Sequence, residues 1–402
     1  MRVLVVHRYY FPEQVPCANI MRAIATRLSK DGHQVDVLSA KPSRVIDKTP
    51  DNEIKIDAGD GVRVCRLSLP SEVNRPVWRI VNAIYLGLTL LFKTIFIRYD
   101  VIISTSIPPV LGGFFSSLAA KLTRVRFIYY CMDLHPEIGR VSGDFSNPFL
   151  YRLLLRIDDW NCRQASSVLV HSEDMRNTLR ARPRGGEYNI ELFNNFALPA
   201  EQDPSIDSDW HLDSLTNRLT LIYAGNMGRF QGLETLLEAM GRIAHRKDIE
   251  LIMMGEGVAK PGLIILQKKL TANVRFYDYQ PVEVAKEAIQ SADIGVVMLI
   301  PDMYKYAYPS KTMAYLEQGC PIIAVIEEES ELAKTMQSEG YGFSVPIGNA
   351  EALAKLLLQL ADDISWKQPM SQAALAAFEK YFSSSVVLDK WSKLVGQSCR
   401  TS

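Results

Sequence analysis

The chain has 402 residues, of which 48% are hydrophobic and 22% charged, a composition typical of globular proteins. Its 45 basic side chains are balanced by 45 acidic ones, so the overall charge does not favour nucleic acid as a partner. The chain is too long for one ordinary hydrophobic core and suits two domains of about 200 residues each.

The cysteines predict neither a zinc site nor a disulfide framework, because they lie far apart and form no Cys-x-x-Cys pair. Cysteines dispersed in this way fit a protein of the reducing cytosol. The six are Cys17, Cys65, Cys131, Cys162, Cys320 and Cys399. The N-terminal run Arg2–His7 is too short for a signal peptide, since Arg8 interrupts it, and is predicted to be a buried strand.

Short β-branched runs alternate with helical patterns along almost the whole chain, which predicts two doubly wound α/β domains with parallel sheets. In the first half, helical patterns at Ala18–Ser29 and Val110–Leu122 separate predicted strands at Val3–Val6, Gln34–Leu38, Val62–Leu67, Val101–Ser104, Arg126–Tyr130, Val168–His171 and Ile190–Phe193. In the second half the predicted strands are Leu219–Ala224, Leu251–Met254, Val274–Phe276, Ile294–Met298, Ile322–Val325 and Tyr341–Val345.

The polar, acidic stretch Leu198–Asn217 contains two prolines and is the predicted linker. It separates an N-terminal domain of residues 1–197 from a C-terminal domain of residues 218–370. Residues 371–402 are predicted to form helices that pack back on the first domain. Because open parallel sheets bind ligands at the carboxyl ends of their strands, we expect the ligand site in a cleft between the two domains.

The segment Pro76–Tyr99 has no charged residue from Ile80 to Phe92, and Arg79, Lys93 and Arg98 flank that run. Thirteen uncharged residues are too few to span the ~30 Å core of a bilayer as a helix. Two interpretations remain open. The segment is either a well-buried crossover helix or a helix with one face in a membrane surface.

The loop Arg8-Tyr-Tyr-Phe-Pro-Glu-Gln14 follows the first predicted strand and is expected at the ligand site. The rings of Tyr9 and Tyr10 either stack on a sugar or only close the end of the sheet. A second candidate segment, Tyr129–Glu137, leaves another buried strand. It places Asp133 at the strand tip, where a carboxylate either orients a hydroxyl or caps the following segment.

Glycine-rich sequence follows the predicted strand Leu219–Ala224 and precedes an amphipathic helix. Such a loop exposes backbone N–H groups to an anion, and Arg229 adds positive charge, although many such loops are ordinary turns. The glycines are Gly225, Gly228 and Gly232, a spacing that differs from the dinucleotide-binding fingerprint.

A further anion site is predicted at Pro309-Ser-Lys-Thr312, where Ser310 is the expected cap of a helix that ends at Gly319. The Lys311 ammonium and the hydroxyls of Ser310 and Thr312 would join the helix N-terminus in holding an anion.

With these segments in place, the chain resembles the GT-B-fold retaining glycosyltransferases of family 4, in the branch that builds bacterial cell-surface polysaccharides. The resemblance covers nearly the whole chain, and the ordered set of motifs carries it. The motifs are Arg8–Glu13, Gly32–Leu38, Asp133–Glu137, Ala165–Ser172, Tyr223–Arg229, Gln231–Leu236, Pro309–Lys311 and Gly319–Ala324.

The resemblance implies two doubly wound Rossmann-like domains facing across a cleft, with a nucleotide-sugar donor on the C-terminal side and a lipid-linked or saccharide acceptor on the N-terminal side. It also implies transfer with retained configuration and neither metal nor cofactor. The implied catalytic residues are Asp133, Lys311 and Arg229. The implied donor-binding residues are Gly225, Asn226, Gly228, Gln231, Tyr279, Ser310 and Thr312. The implied acceptor-binding residues are Tyr9, Tyr10, Glu13, His135 and Glu137.

Two departures from the family pattern concern the donor. Asn226 and Gln231 stand where the family often has Arg and Lys. Tyr306 and Ala314 stand where many members carry a pair of glutamates that grip the donor sugar or ribose, and Glu317 lies one turn beyond.

We therefore expect a transferase that uses a nucleoside-diphosphate donor, with uridine and an N-acetylated hexosamine favoured, at the inner face of the cytoplasmic membrane. Two other functions remain open: a non-catalytic subunit that binds sugar nucleotides, and a sugar-nucleotide 2-epimerase of the same fold.

Overall fold

The computed structural model describes residues 1–13, 15–42, 61–70, 72, 75–143, 145–197 and 219–397. The chain forms two compact units, the first made of Met1–Asn194 with Val387–Ser402 and the second of Asn195–Val386. The predicted linker Leu198–Asn217 lies outside the described residues.

The first unit is built on a parallel sheet of seven strands in the order β3-β2-β1-β4-β5-β6-β7. The strands are β1 (Arg2–Val6), β2 (Gln34–Ala40), β3 (Val62–Leu67), β4 (Val101–Thr105), β5 (Arg126–Tyr130), β6 (Ser167–Val170) and β7 (Ile190–Leu192). Strand β4 is buried along its whole length, as the β-branched run Val-Ile-Ile predicts for a strand covered on both faces.

Helices connect these strands, and three begin with proline, whose missing N–H is harmless in a first turn. The helices are α1 (Pro16–Lys30), α2 (Pro76–Phe96), α3 (Leu111–Thr123), α4 (Glu137–Val141), α5 (Pro148–Gln164) and α6 (Glu173–Arg180). Helix α3 lies between α2 and α5. A Cβ at Gly87 of α2 would lie 2.0 Å from the Phe115 ring, and Phe114 packs on Trp160 with ring centroids 5.5 Å apart.

The second unit has a parallel sheet of six strands in the order β10-β9-β8-β11-β12-β13. The strands are β8 (Leu219–Ala224), β9 (Ile249–Met254), β10 (Val274–Tyr277), β11 (Ile294–Met298), β12 (Ile322–Val325) and β13 (Gly342–Val345). The helices are α7 (Glu234–Arg242), α8 (Lys260–Leu270), α9 (Val282–Ser291), α10 (Lys311–Glu317), α11 (Glu331–Glu339), α12 (Ala350–Asp362), α13 (Lys367–Tyr381) and α14 (Ser384–Gly396), the last of which crosses into the first unit.

The prediction of two doubly wound parallel-sheet domains is confirmed, and each predicted strand is present within two residues of its predicted bounds. In both sheets the order of strand addition reverses beside the first strand, since β1 lies between β2 and β4, and β8 lies between β9 and β11. In open α/β sheets this switch point, at the carboxyl ends of the strands, is where ligands bind.

The boundary predicted at residue 371 differs from the structure, because α13 belongs to the second unit. Its Leu375 packs close to Gly319, and Lys380 forms an ion pair with Glu339. Only α14 lies mainly with the first unit, where the buried Trp391 ring packs edge-on against Tyr130. Helix α13 belongs to the second unit because the residues that it packs against lie there.

Helix α2 is a crossover helix, as one interpretation held, but it is not well buried. Its inner side packs through Leu86 and Leu90, which are 2% and 1% exposed, whereas Phe92 and Phe96 are 59% and 81% exposed. The expectation that this segment is too short to span a bilayer is corrected: by length and composition alone, the 20-residue stretch Val77–Phe96 could cross a membrane, and a third of its most apolar part is buried.

Candidate functional site

The glycine loop after β8 lies directly against Lys311, the first residue of α10. Gly225 has a φ of 125°, which strongly favours glycine, and a Cβ there would lie 3.0 Å from Lys311 Cε and 3.3 Å from Nζ. The structure therefore brings the two predicted anion-binding segments, which are distant in the sequence, to one place in the second unit.

Lys311 holds its ammonium in a poorly solvated position. Nζ lies 4.5 Å from the centroid of the Tyr223 ring, a cation–π geometry. Burial lowers the pKa of Lys311 from 10.5 to about 8, because the charged form loses hydration without gaining a carboxylate. An incoming phosphate would supply the missing negative charge.

Inside the glycine loop, the predicted donor-binding side chains contact the loop itself. Gly228 N–H donates a 2.9 Å hydrogen bond to Gln231 Oε1, and the Tyr223 hydroxyl donates to the Asn226 carbonyl at 2.6 Å. A Cβ at Gly228 would lie 2.7 Å from Asn226 Nδ2. Arg229 is exposed and has no hydrogen bond or ion pair to another residue in the described part of the chain.

Two glycines that sequence reasoning missed support this loop from the end of β9. A Cβ at Gly255 would lie 2.2 Å from the Gly225 carbonyl oxygen, and one at Gly257 equally close to that of Met227. Both have φ above 130°. The run Met254-Gly-Glu-Gly257 follows a predicted strand, so this Gly-x-Gly signal was visible in the sequence.

Lys260, also missed, ties the end of β9 to the segment after β10. Its Nζ donates to the Gly255 carbonyl at 3.0 Å, to the Tyr277 carbonyl at 3.2 Å and to Asp278 Oδ1 at 2.5 Å. Tyr279, the predicted donor contact that follows, is 60% exposed. Lys260 therefore fixes the base of the segment that presents Tyr279.

The start of α10 differs from the predicted cap. Ser310 is exposed and accepts no capping hydrogen bond, because its φ of −59° and ψ of −22° are already helical, whereas a capping residue is extended. Thr312 is fully buried, and its Oγ1 has no hydrogen-bond partner among the described residues. Glu317 pairs with Lys286 at 2.8 Å, which removes it as a substitute for the absent glutamates.

In the first unit, Asp133 stands just past β5, at the carboxyl edge of the sheet. Its N–H donates to Ser106 Oγ at 3.3 Å, which joins the ends of β5 and β4. Burial raises the pKa of the Asp133 carboxyl from 3.8 to about 6. A carboxylate with this pKa is ionised at neutral pH and can accept a hydrogen bond from an incoming hydroxyl.

The first loop lies close to Asp133. Burial raises the pKa of the Cys17 thiol to about 11, and the charges of Asp133 and Glu13 add to that effect. Glu13 is 3% exposed and Tyr10 is 1% exposed, so the structure places both in the core of the first unit. For Tyr10 this supports closure of the sheet end rather than stacking on a sugar, while Tyr9 keeps part of its ring exposed.

Glu137 is part of a buried ion-pair network rather than an open acceptor contact. Arg182 Nε donates to Glu137 Oε1 at 3.0 Å, and another guanidinium nitrogen donates to Asp158 Oδ2 at 2.8 Å. A third donates to the His135 carbonyl at 3.2 Å, so Arg182 fixes the turn that follows Asp133. Nothing in the sequence pairs Arg182 with a residue 45 positions earlier.

The described residues contain no group of three or more His, Cys, Asp or Glu that could hold a metal ion.

Two family models match the chain, one in each unit. The model "Glycosyl transferase 4-like domain" matches residues 17–194, and the model "Glycosyl transferases group 1" matches residues 218–363.

Two curated proteins resemble the chain at 24% identity. The probable glycosyltransferase WbjE of Pseudomonas aeruginosa aligns over 74% of this chain and 74% of its own length. The putative colanic acid biosynthesis glycosyl transferase WcaI of Escherichia coli K12 aligns over 88% and 90%.

Solved structures share the fold across the whole chain. Sucrose-phosphate synthase from Thermosynechococcus elongatus superposes with a TM-score of 0.74 at 17% identity, covering 99% of this chain and 98% of its own. Anabaena HepE in complex with UDP superposes with a TM-score of 0.69 at 13% identity, covering 98% and 99%. Fold, family models and relatives agree that the chain is a glycosyltransferase with the GT-B fold.

Proposed function

We propose that the protein transfers a sugar, with retention of configuration and without a metal, from a uridine-diphosphate donor to a lipid-linked saccharide in cell-surface polysaccharide synthesis. The observation that carries the donor half is the desolvated Lys311 ammonium beside Gly225. HepE, solved with UDP and with UDP-glucose, supports a uridine nucleotide, and the relative WcaI, a putative colanic acid biosynthesis glycosyl transferase, supports a polysaccharide product.

In the proposed reaction the bond from the anomeric carbon to the diphosphate oxygen breaks, and the electron pair leaves with the nucleoside diphosphate. Lys311 and the N–H groups of the glycine loop stabilise the charge that develops there, a contribution of several kcal/mol in a dry site. The exposed Arg229 adds positive potential. The acceptor oxygen bonds to the anomeric carbon, and retention places it on the leaving-group side, where the departing phosphate takes the hydroxyl proton.

Asp133 is the proposed acceptor-side catalytic residue. Its carboxylate would orient the incoming hydroxyl by accepting a hydrogen bond, and its position at the tip of β5 is fixed through Ser106. His135 and Tyr9 are the remaining candidate acceptor contacts, since neither is fully buried.

We also propose that the first unit contacts a membrane through α2. From Arg75 to Tyr99 the chain has four basic and no acidic residue, although the whole chain is balanced. The outward apolar side chains of α2 run along its full length of about 31 Å. They are Val77, Trp78, Ile80, Val81, Ile84, Tyr85, Leu88, Phe92, Ile95 and Phe96.

The start of α5, in the same layer of helices, continues this composition. Phe149 is 78% exposed, Leu150 and Leu153 are also exposed, and Arg152 and Arg156 lie beside them. Apolar side chains bordered by cations suit an anionic lipid surface, where insertion and charge attraction add. The protein would then work on the cytoplasmic side of the membrane that carries its acceptor.

The experiment that tests the function measures nucleotide release from a panel of uridine- and guanosine-diphosphate sugars, with and without a membrane extract as acceptor source. Release that depends on the acceptor, from a uridine donor, supports the proposal. Altered sugar nucleotide formed without acceptor would instead identify an epimerase, and binding without release would identify a non-catalytic subunit.

A further inference from the structure

Glu327 stands at the same edge of the second sheet as the glycine loop and Lys311. It follows β12 by two residues, and β12 pairs with β11 in a register that joins Val325 to Met298. Strand β11 in turn pairs with β8. Two strand spacings, about 10 Å, therefore separate the end of β12 from the end of β8.

Only one of the two oxygens of the Glu327 carboxylate accepts a hydrogen bond in the described part of the chain. Oε1 accepts a 2.6 Å hydrogen bond from the Asp302 N–H, which holds the side chain in one orientation. Oε2 is buried and has no hydrogen-bond partner, and no cation pairs with Glu327 in the described part of the chain. A buried carboxylate oxygen without a donor is unfavourable, so this atom has capacity for a hydroxyl or N–H group.

The Ile300–Asp302 segment, which donates the hydrogen bond to Glu327, also contacts the glycine loop. Ile300 N–H donates to the Phe230 carbonyl at 3.0 Å, and a Cβ at Gly232 would lie 3.6 Å from Ile300 Cγ2. Asp302, whose N–H donates to Glu327, follows Ile300 by two positions. A donor whose diphosphate lies at Gly225 and Lys311 therefore has the Ile300–Asp302 segment and Glu327 as its neighbours on the β11–β12 side.

This side of the site lacks the pair of glutamates that many members of the family carry. Tyr306 and Ala314 occupy the two glutamate positions, and Glu317 is neutralised by Lys286. We infer that Glu327 Oε2 accepts a hydrogen bond from a hydroxyl of the donor sugar, in place of the absent pair. The inference rests on the proposed function, because it assumes that the second unit binds a sugar nucleotide.

The test separates binding of the sugar from binding of the nucleotide. Affinities for UDP and for a panel of UDP-hexoses and UDP-N-acetylhexosamines are measured by calorimetry on the full chain. The variants are Glu327→Gln and, as a matched control, Glu328→Gln, which removes an exposed carboxylate from the next position. Glutamine keeps an oxygen for the Asp302 N–H and replaces only the second oxygen, so the fold is retained; thermal unfolding verifies this.

We expect Glu327→Gln to weaken binding of the preferred UDP-sugar by about tenfold to a hundredfold, the usual cost of a hydrogen bond to a charged group. UDP itself should bind within about twofold of wild type, and Glu328→Gln should change neither affinity. Equal losses for UDP and UDP-sugar, or no loss for any UDP-sugar that the wild type binds, would overturn the inference while leaving the proposed function intact. A wild-type protein that binds no nucleotide would refute both.

Discussion

Replacing Lys311 with methionine should make the protein more stable and less active. The ammonium is desolvated, and among the described residues it has the Tyr223 ring and Gly225 beside it but no carboxylate. The fall of the Lys311 pKa from 10.5 to about 8 corresponds to about 3 kcal/mol against the charged form. Partial exposure and the lost cation–π contact reduce this figure, so Lys311→Met should raise the free energy of unfolding at pH 7 by about 1–2 kcal/mol.

The pH dependence of the free energy of unfolding tests independently whether the charged form of Lys311 is unfavourable in the folded state. Between pH 8 and 10.5 the unfolded chain holds the Lys311 proton and the folded chain does not, so wild-type stability rises with pH across this window. The methionine variant lacks this rise. Denaturant unfolding at pH 7, 8, 9 and 10 measures both effects, and Lys334→Met, at an exposed position on α11, is the control that should show neither.

Turnover should fall by about 10²-fold or more in Lys311→Met and in Lys311→Ala, as when a charge-stabilising contact is removed from a site. Wild-type UDP binding near pH 8 should take up protons, because the diphosphate restores the ammonium, and calorimetry in buffers of different ionisation enthalpy detects this. A less stable methionine variant, or unchanged turnover, would refute the reasoning.

Three further results are expected. Asp133→Asn should abolish transfer but preserve UDP affinity, and lost UDP affinity would make Asp133 a donor ligand. The wild-type rate of transfer should rise with pH through about 6, because the Asp133 carboxyl ionises there. The double variant Leu88→Ser with Phe92→Ser should no longer sediment with anionic liposomes, while its melting temperature stays unchanged. Leu90→Ser, at a buried position of the same helix, should unfold the protein. A melting temperature lowered as much by the exposed pair would contradict the membrane proposal. Gly255→Ala should weaken UDP binding at least tenfold, because its Cβ would clash with the glycine loop; unchanged affinity would remove that loop from the donor site.

The sheets and the motifs at their edges were predictable from local sequence pattern. A run such as Val101–Thr105 is too apolar to face water and too short and β-branched for a helix, so a buried parallel strand is the available structure. Glycine and proline mark where strands end, and the glycine loop and Pro309–Lys311 were found in this way. The pattern of α2 predicts a helix but is compatible both with burial and with exposure to a membrane surface.

The partners of charged side chains were not predictable, because they depend on distance in space rather than on period along the chain. Arg182 meets Glu137 and Asp158 only because α4, α5 and the end of α6 pack together. Ser310 has the residue type of a cap, yet its backbone is already helical. Tyr10 has the ring for a sugar contact, yet the packing of the first unit buries it.

The sequence by itself determined the two parallel sheets, their switch points and the loops that carry Asp133, Gly225 and Lys311, since hydrophobic period and glycine position are local properties. Only the tertiary structure decided which charges are compensated. Lys311 loses water without gaining a carboxylate, and Glu327 keeps a buried oxygen without a donor, whereas Glu137 is neutralised by Arg182. Burial and pairing decide whether an ionisable group stabilises the fold or remains free for a substrate, and both arise only when distant segments pack.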